Sequence, residues 1–194
     1  FGGKSGNAGL FAASAHEDLA NSSSNRSTGS EHGSAAWGSI FGEVRLGDRI
    51  AVGIDYVPQA LSSDTTETAK NDKDGSTTVN MRSNKIQVDF EELTSMYVIA
   101  NITENFYVKA GGTRVEIITN ENLGTGSTYG DTDMSGSVFG LGYNVTNDNG
   151  TFFRFEGNYM NFDGTSITSS ANSNVISLNN LDGVSGKISV GKSF

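Results

Sequence analysis

The sequence predicts an all-β fold: an eight-stranded antiparallel up-and-down transmembrane β-barrel in which residues 1–194 form one domain. Three observations carry this reading. Apolar residues recur at every second position over most of the patterned stretches, which is the period of a strand rather than of a helix. The joins between these stretches alternate long, short, long, short, long, short, long, as they do when hairpins close alternately at the two ends of a barrel. Hydrophobic residues make up only 35% of the chain, with 25 glycines and a single proline. No run approaches the roughly 18 to 20 apolar residues of a membrane helix, whereas a barrel needs only alternate apolar residues over about 9 to 11 positions.

Taken in order, the first strand is Gly6 to Ala15, rich in small residues. His16 to Gly33 is polar and Ser/Asn-rich without an apolar period, and reads as a long mobile loop. Ala35 to Leu46 sets Ile40, Val44 and Leu46 against Phe41, Glu43 and Arg45; Gly47-Asp48 makes a tight turn, and Ile50, Val52, Ile54 and Tyr56 follow against Ala51, Gly53 and Asp55. Pro58 to Asn80 is a second polar insert. Asn84 to Phe90 then sets Ile86, Val88 and Phe90 against Lys85, Gln87, Asp89 and Glu91, and the phase slips at Glu91-Glu92 so that Leu93, Tyr97 and Ile99 continue the apolar face through a β-bulge. After the short turn Asn101 to Asn105, Phe106, Val108 and Ala110 lie opposite Lys109. A second bulge, at Gly111-Gly112, shifts the apolar face to Val115 and Ile117 against Arg114 and Glu116. Asn120 to Asp133 is the third insert. Phe139, Leu141, Tyr143 and Val145 then share one face, Asn147 to Gly150 turns the chain, and Phe153, Phe155 and Tyr159 oppose Phe152, Arg154, Glu156 and Asn158. Asp163 to Asn180 is the fourth insert. The closing strand puts Val184, Ile188, Val190 and Phe194 on one face and Ser185, Lys187 and Ser189 on the other.

With apolar faces turned to lipid, the opposite faces line the barrel and bring together Glu43, Arg45, Asp55, Asp89, Glu91, Lys109, Arg114, Glu116, Arg154, Glu156 and Lys187. A barrel of this size has room for little beyond its own side chains, so these charges are expected to pair into a plugging network rather than line a conducting path. Trp37, Tyr56, Tyr97, Tyr143, Tyr159 and Phe194 are candidates for interfacial aromatic girdles.

The final strand, with its terminal Phe194, resembles the closing strand of bacterial outer-membrane β-barrels, and the rhythm of four long and three short joins resembles the small OmpA/OmpX-type barrels over nearly the whole chain. The resemblance implies a place in the cell outer membrane, with termini and short turns periplasmic and long loops extracellular. It implies that Val184, Ile188, Val190 and Phe194 form the signal read by the barrel-assembly machinery. A signal peptide is expected to have been removed or omitted before Phe1.

A net charge of −9 without a basic patch excludes nucleic acid as a partner, and the chain has no cysteine for disulfides. His16 and His32, with Glu17, Asp18 and Glu31, are the residue types of a metal or hydrolytic site such as lipid A-modifying barrels carry, but no motif of those enzymes is matched and a polar loop accounts for them. Asp131-x-Asp133-x-Ser135-Gly136 begins like a calcium loop but has Gly142 where the bidentate glutamate belongs, and Asp72 to Gly75 fits less well. Sequons such as Asn101 and Asn149 follow from composition. The expectation is a noncatalytic surface protein without cofactors, held in outer-membrane lipid. Its four loops would contact an extracellular partner or another copy of the chain, with a narrow porin-like channel and a lipid-modifying enzyme as alternatives.

Overall fold

The structure, a computed structural model, describes residues 1–18, 26–73, 79–124, 126–171 and 174–193. Among them all regular structure is strand: β1 (Gly2–Asp18), β2 (Arg26–Arg45), β3 (Ile50–Tyr56), β4 (Leu61–Ser62), β5 (Thr66–Lys73), β6 (Val79–Asn101), β7 (Phe106–Leu123), β8 (Thr132–Thr146), β9 (Thr151–Phe162), β10 (Thr165–Thr168) and β11 (Val175–Lys192). β4 and β5 continue the path of β3 along β6, and β10 continues that of β9 along β11, so the eleven strands make eight antiparallel staves. β1 closes the ring onto β11, from Gly2 opposite Lys192 to Asp18 opposite Val175.

The staves are long. β6 has 23 residues and β2 has 20, about twice what crosses a bilayer, and the sequence reverses its polarity along them. In the half next to the short turns, Val44, Ile54, Val98, Leu141, Phe155 and Ile188 stand outward and exposed, while Glu43, Lys109, Arg154, Glu156 and Lys187 are buried inward. In the far half the buried cluster is apolar: Trp37, Val57, Leu93, Val115, Ile117, Met134, Val138, Met160, Phe162 and Leu181. Polar residues such as Arg114 and Asp133 face out there. Each half follows its surroundings. Hydrocarbon outside selects apolar outward residues and leaves polar ones to pair within, whereas water outside selects the ordinary burial of apolar surface.

This inversion corrects several expectations. The bulge on β6 is present: Glu92 and Leu93 fall between Glu91, opposite Glu116, and Thr94, opposite Arg114. Glu92 takes φ 53°. However, Leu93, Tyr97 and Ile99 point into the lumen and are buried, because the bulge swaps an even-numbered inward face (Val88, Phe90) for an odd-numbered one. Trp37 and Tyr97 are therefore not girdle residues. On β7 there is no bulge at Gly111-Gly112, since pairing with β8 runs unbroken from Phe106–Tyr143 to Ile117–Thr132. Gly111 answers a different need. It lies opposite Tyr97, and a Cβ there would collide with the Met96 carbonyl oxygen and the Tyr97 Cα. Gly111→Val is expected to destabilise the barrel by at least about 1 to 3 kcal/mol, measured by urea unfolding in detergent. Gly112→Val, whose nearest atom is the Gly136 oxygen at 3.8 Å, should cost less.

Much of the sequence expected to form loops is strand as well. β1 and β2 pair up to Asp18–Arg26, and β5 pairs with β6 up to Lys73–Val79. Together they raise a crown above the apolar belt.

Candidate functional site: a lumen sealed in two layers

Inward positions on five staves converge at the level of the belt. Phe152, Arg154 and Glu156 share one face of β9, with Phe41 and Glu43 on β2, Asp55 on β3, Lys109 on β7 and Lys187 on β11. The Arg154 guanidinium reaches across the lumen to Glu43, its Nη1 donating to Oε1 at 2.5 Å and its Nη2 to Oε2 at 2.9 Å. The Tyr97 hydroxyl donates to the same Oε1 at 2.9 Å. Lys109 Nζ donates to Glu156 Oε1 at 2.9 Å. Lys187, directly opposite Glu156 on the ladder, bonds Asp55 and lies 3.7 Å from Glu156 Oε2. Three cations thus meet three carboxylates in a layer with no net charge, the condition under which ionised groups tolerate burial.

Aromatic rings back this layer. Arg154 Cζ lies 5.3, 5.0 and 5.2 Å from the ring centroids of Phe41, Tyr107 and Phe152, within reach of the ring quadrupole. Phe1 and Phe41 pack against Phe152 at 5.6 and 6.1 Å and close the mouth beside the short turns. On the other side lies the apolar cluster, with Trp37 5.8 Å from Phe11. Between the two layers, the cavity lined by Asn7, Asp55, Ser95, Asn158 and Lys187 among others holds about 30 Å³, room for a water or two and not for a hydrated ion.

Five of the expected lumen charges lie elsewhere. Arg45 has the inward parity but sits at the exposed end of β2, its guanidinium 4.3 Å over the Phe1 ring. Arg114 faces solvent, paired with Asp133 at 2.8 Å with both side chains more than half exposed, so the pair contributes about 0 to 1 kcal/mol. Glu91 and Glu116 oppose one another on the outer face. Asp89 accepts hydrogen bonds from Gln87 and Asn120, both at 2.8 Å. All four lie above the belt, where the outer face is the wet one. Tyr97, Tyr107 and Trp37 are aromatic lumen residues that sequence reasoning missed; the alternation of Phe41 with Glu43 and of Phe152 with Arg154 was the available sign that aromatic and charged residues share this interior.

The crown is tied across its loops. Tyr129 is buried; its hydroxyl donates to Glu17 Oε1 at 3.1 Å and its N–H to Glu121 Oε1 at 2.5 Å. Burial and the Glu17 carboxylate push its phenol above the usual range. Thr128 N–H donates to Ser169 Oγ at 3.1 Å and Ser170 N–H to the Thr128 carbonyl at 2.9 Å, joining the two loops that follow β7 and β10. His16 lies opposite Thr28 and His32 opposite Ala12, so four residues, about 13 Å of strand, separate the two histidines along the ladder. Among the described residues no group of three or more His, Asp or Glu side chains is placed to hold a metal. Asp133 is engaged by Arg114, and residues 74 and 75 of the second calcium-like stretch lie outside the described residues. On β11, Val184, Ile188 and Val190 are 54%, 61% and 47% exposed on the outer face, while Phe194 lies outside the described residues.

No protein-family model and no curated protein matches the sequence. Among solved structures the chain is similar to the outer membrane protein OprG from Pseudomonas aeruginosa, at 14% identity and a TM-score of 0.51 over 98% of this chain and 97% of that one. The fold is that of an eight-stranded outer-membrane barrel. A weaker likeness is to Ail, the attachment invasion locus protein of Yersinia pestis, solved with the heparin analogue sucrose octasulfate, at 8% identity and a TM-score of 0.34 over 95% of this chain and 98% of that one.

Proposed function

We propose that the chain is a noncatalytic outer-membrane anchor that spans lipid without conducting and holds a tall β-crown on the outside of the cell for contact with an extracellular partner. The observation that carries this reading is the double seal, an ion-paired, aromatic-backed layer at belt level beneath a close-packed apolar layer. A transport path would need neither layer filled, whereas a rigid support for surface contacts is served by both. The short turns at Gly47, Ile102 to Asn105 and Asn147 to Gly150 face the periplasm, and the crown faces out. Val184, Ile188 and Val190 present an apolar outer face that, together with the aromatic residue Phe194 in the sequence, forms the signal the barrel-assembly machinery reads. In planar bilayers the purified protein is expected to give no steady current at neutral pH; a stable, ion-selective conductance would overturn the anchor reading. Because the chain lacks cysteine, single cysteines report orientation cleanly. Asp131→Cys in the crown should react with a membrane-impermeant maleimide on intact cells, and Asp48→Cys only after permeabilisation. The reverse pattern would place the crown in the periplasm.

A further inference from the structure

One patch of the belt's outer face is floored by glycine and alanine. Ala8 on β1 lies between Ala36 on β2 and Gly186 on β11, and Gly186 lies opposite Gly157 on β9. One outward step nearer the short turns, Gly6 lies opposite Gly38. Above this floor stand Leu10, Val184 and Tyr159, and the groove beneath them holds about 940 Å³. Glycine inside a strand weakens it, and marks a place where the backbone bends, where a neighbour takes the space, or where another molecule comes close. The first two do not apply here. Pairing runs unbroken past Gly6, Gly157 and Gly186, none of them takes a positive φ, and a Cβ on any of the three would meet nothing within 4 Å. Gly3, Gly9 and Gly183 on the same staves differ: a Cβ there would press on the rings of Phe41, Trp37 and Phe11.

At the lower end of the floor stands an unpaired cation. Lys4, the next outward residue below Gly6, is exposed between Ile40 and Val190. Lys192 is its diagonal neighbour on β11, with its ammonium on the Asn149 carbonyl. Among the described residues neither has a carboxylate partner. Lys4 and Leu10 are six residues apart, about 20 Å of strand. At a tilt of about 45° that rises about 14 Å, close to the depth of one leaflet in a hydrocarbon core about 30 Å thick. We infer that the groove seats an acyl chain of an anionic phospholipid whose phosphate is held by Lys4 and Lys192. A chain lying on glycine reaches the backbone itself, the close approach that small residues allow in a membrane, and the phosphate supplies the charge that the two lysines lack. A second copy fits less well, because the two-fold axis relating subunits in a membrane would bring Lys4 of each toward that of the other. The leaflet is the one beside the short turns. Its being periplasmic rests on the outward-facing crown, whereas the site and its test do not.

The test is native mass spectrometry of the barrel released from micelles that carry equal amounts of phosphatidylglycerol and phosphatidylcholine with identical chains. A phosphatidylglycerol should stay bound at collision energies that strip the remaining lipid, preferred over phosphatidylcholine by at least about fivefold, the worth of one lysine beside anionic lipid. Lys4→Gln should reduce that preference about fivefold, and Lys4→Arg should keep it. Gly6→Leu and Gly186→Leu, whose added side chains point toward lipid with open space at Cβ, should migrate as folded barrels yet retain neither lipid. Ala110→Leu, exposed on the outer face four staves away, should retain phosphatidylglycerol as the unaltered chain does. No retained lipid, a preference unchanged by Lys4→Gln, or retention that survives both glycine variants would overturn the proposal. Dimers that vanish in Gly186→Leu while no lipid is held would give the groove to a second copy and overturn it as well.

Discussion

Arg154→Ala is expected to destabilise the folded barrel by about 3 to 5 kcal/mol, read from urea unfolding in detergent at neutral pH. The loss does not measure the attraction between Arg154 and Glu43. Both side chains are almost wholly buried, 7% and 2% exposed, and removing the cation leaves a carboxylate in the lumen with the Tyr97 hydroxyl as its remaining neutral donor. The three-to-three balance of the layer becomes two to three. Replacing both partners by apolar residues, Arg154→Met with Glu43→Leu, should recover most of the loss, because a matched pair is worth little over a packed apolar one while a widowed charge is costly. The surrounding rings of Phe41, Tyr107 and Phe152 suit that replacement. If the single variant costs less than about 1 kcal/mol, the lumen is wetter than the structure shows it.

The second large effect belongs to the outer face. Ile188 is 61% exposed on the closing strand, between Val184 and Val190 and opposite Phe155, near the middle of the belt. Ile188→Arg is expected to cost about 2 to 4 kcal/mol in a bilayer, the range for a cation facing lipid at mid-membrane. Ser189→Arg, one residue along, enters the lumen instead. Ser189 is 1% exposed, so its penalty comes from crowding and from a fourth cation in a balanced layer. The two are separated by solvent: moving the protein from bilayer to a loosely packed micelle should relieve Ile188→Arg and leave Ser189→Arg unchanged.

What the sequence made legible follows from where its period has a single physical cause. On β2, β3, β8, β9 and β11 at belt level, lipid outside and charge inside both favour the same alternation, and the facing of Ile54, Leu141, Phe155 and Ile188 could be read from spacing alone. Above the belt the cause changes sign while the period stays the same. Val115 and Ile117 alternate with Arg114 and Glu116 as regularly as Val108 alternates with Lys109, and only the absence of a register shift on β7 tells that the apolar members have become the inner ones. A glycine pair at that switch invited a bulge that the backbone does not make. The crown itself left little trace. Thr28 to Ser34 are exposed on both faces, so the strand runs through serines and glycines with no apolar period, and hydrogen bonding to β1 rather than burial holds it. Of the lumen site, the six charges at belt level were within reach of sequence reasoning. Tyr97, whose hydroxyl donates to Glu43, was assigned to a girdle because an aromatic ring near a membrane reads as one unless its strand's phase is known.

One unbroken stave changes its wet face partway along its length, and single nitroxide labels placed along β7 test this most directly. In bilayers, labels at Phe106, Val108 and Ala110 should be relaxed by lipid-soluble oxygen. Those at Arg114 and Glu116 should be relaxed by a water-soluble nickel chelate, and those at Lys109, Val115 and Ile117 should be shielded from both. Lipid exposure at Val115 and Ile117 with shielding at Arg114 and Glu116 would mean that the apolar face stays outward through a bulge at Gly111-Gly112, and the inverted crown, with the second layer of the seal, would be wrong.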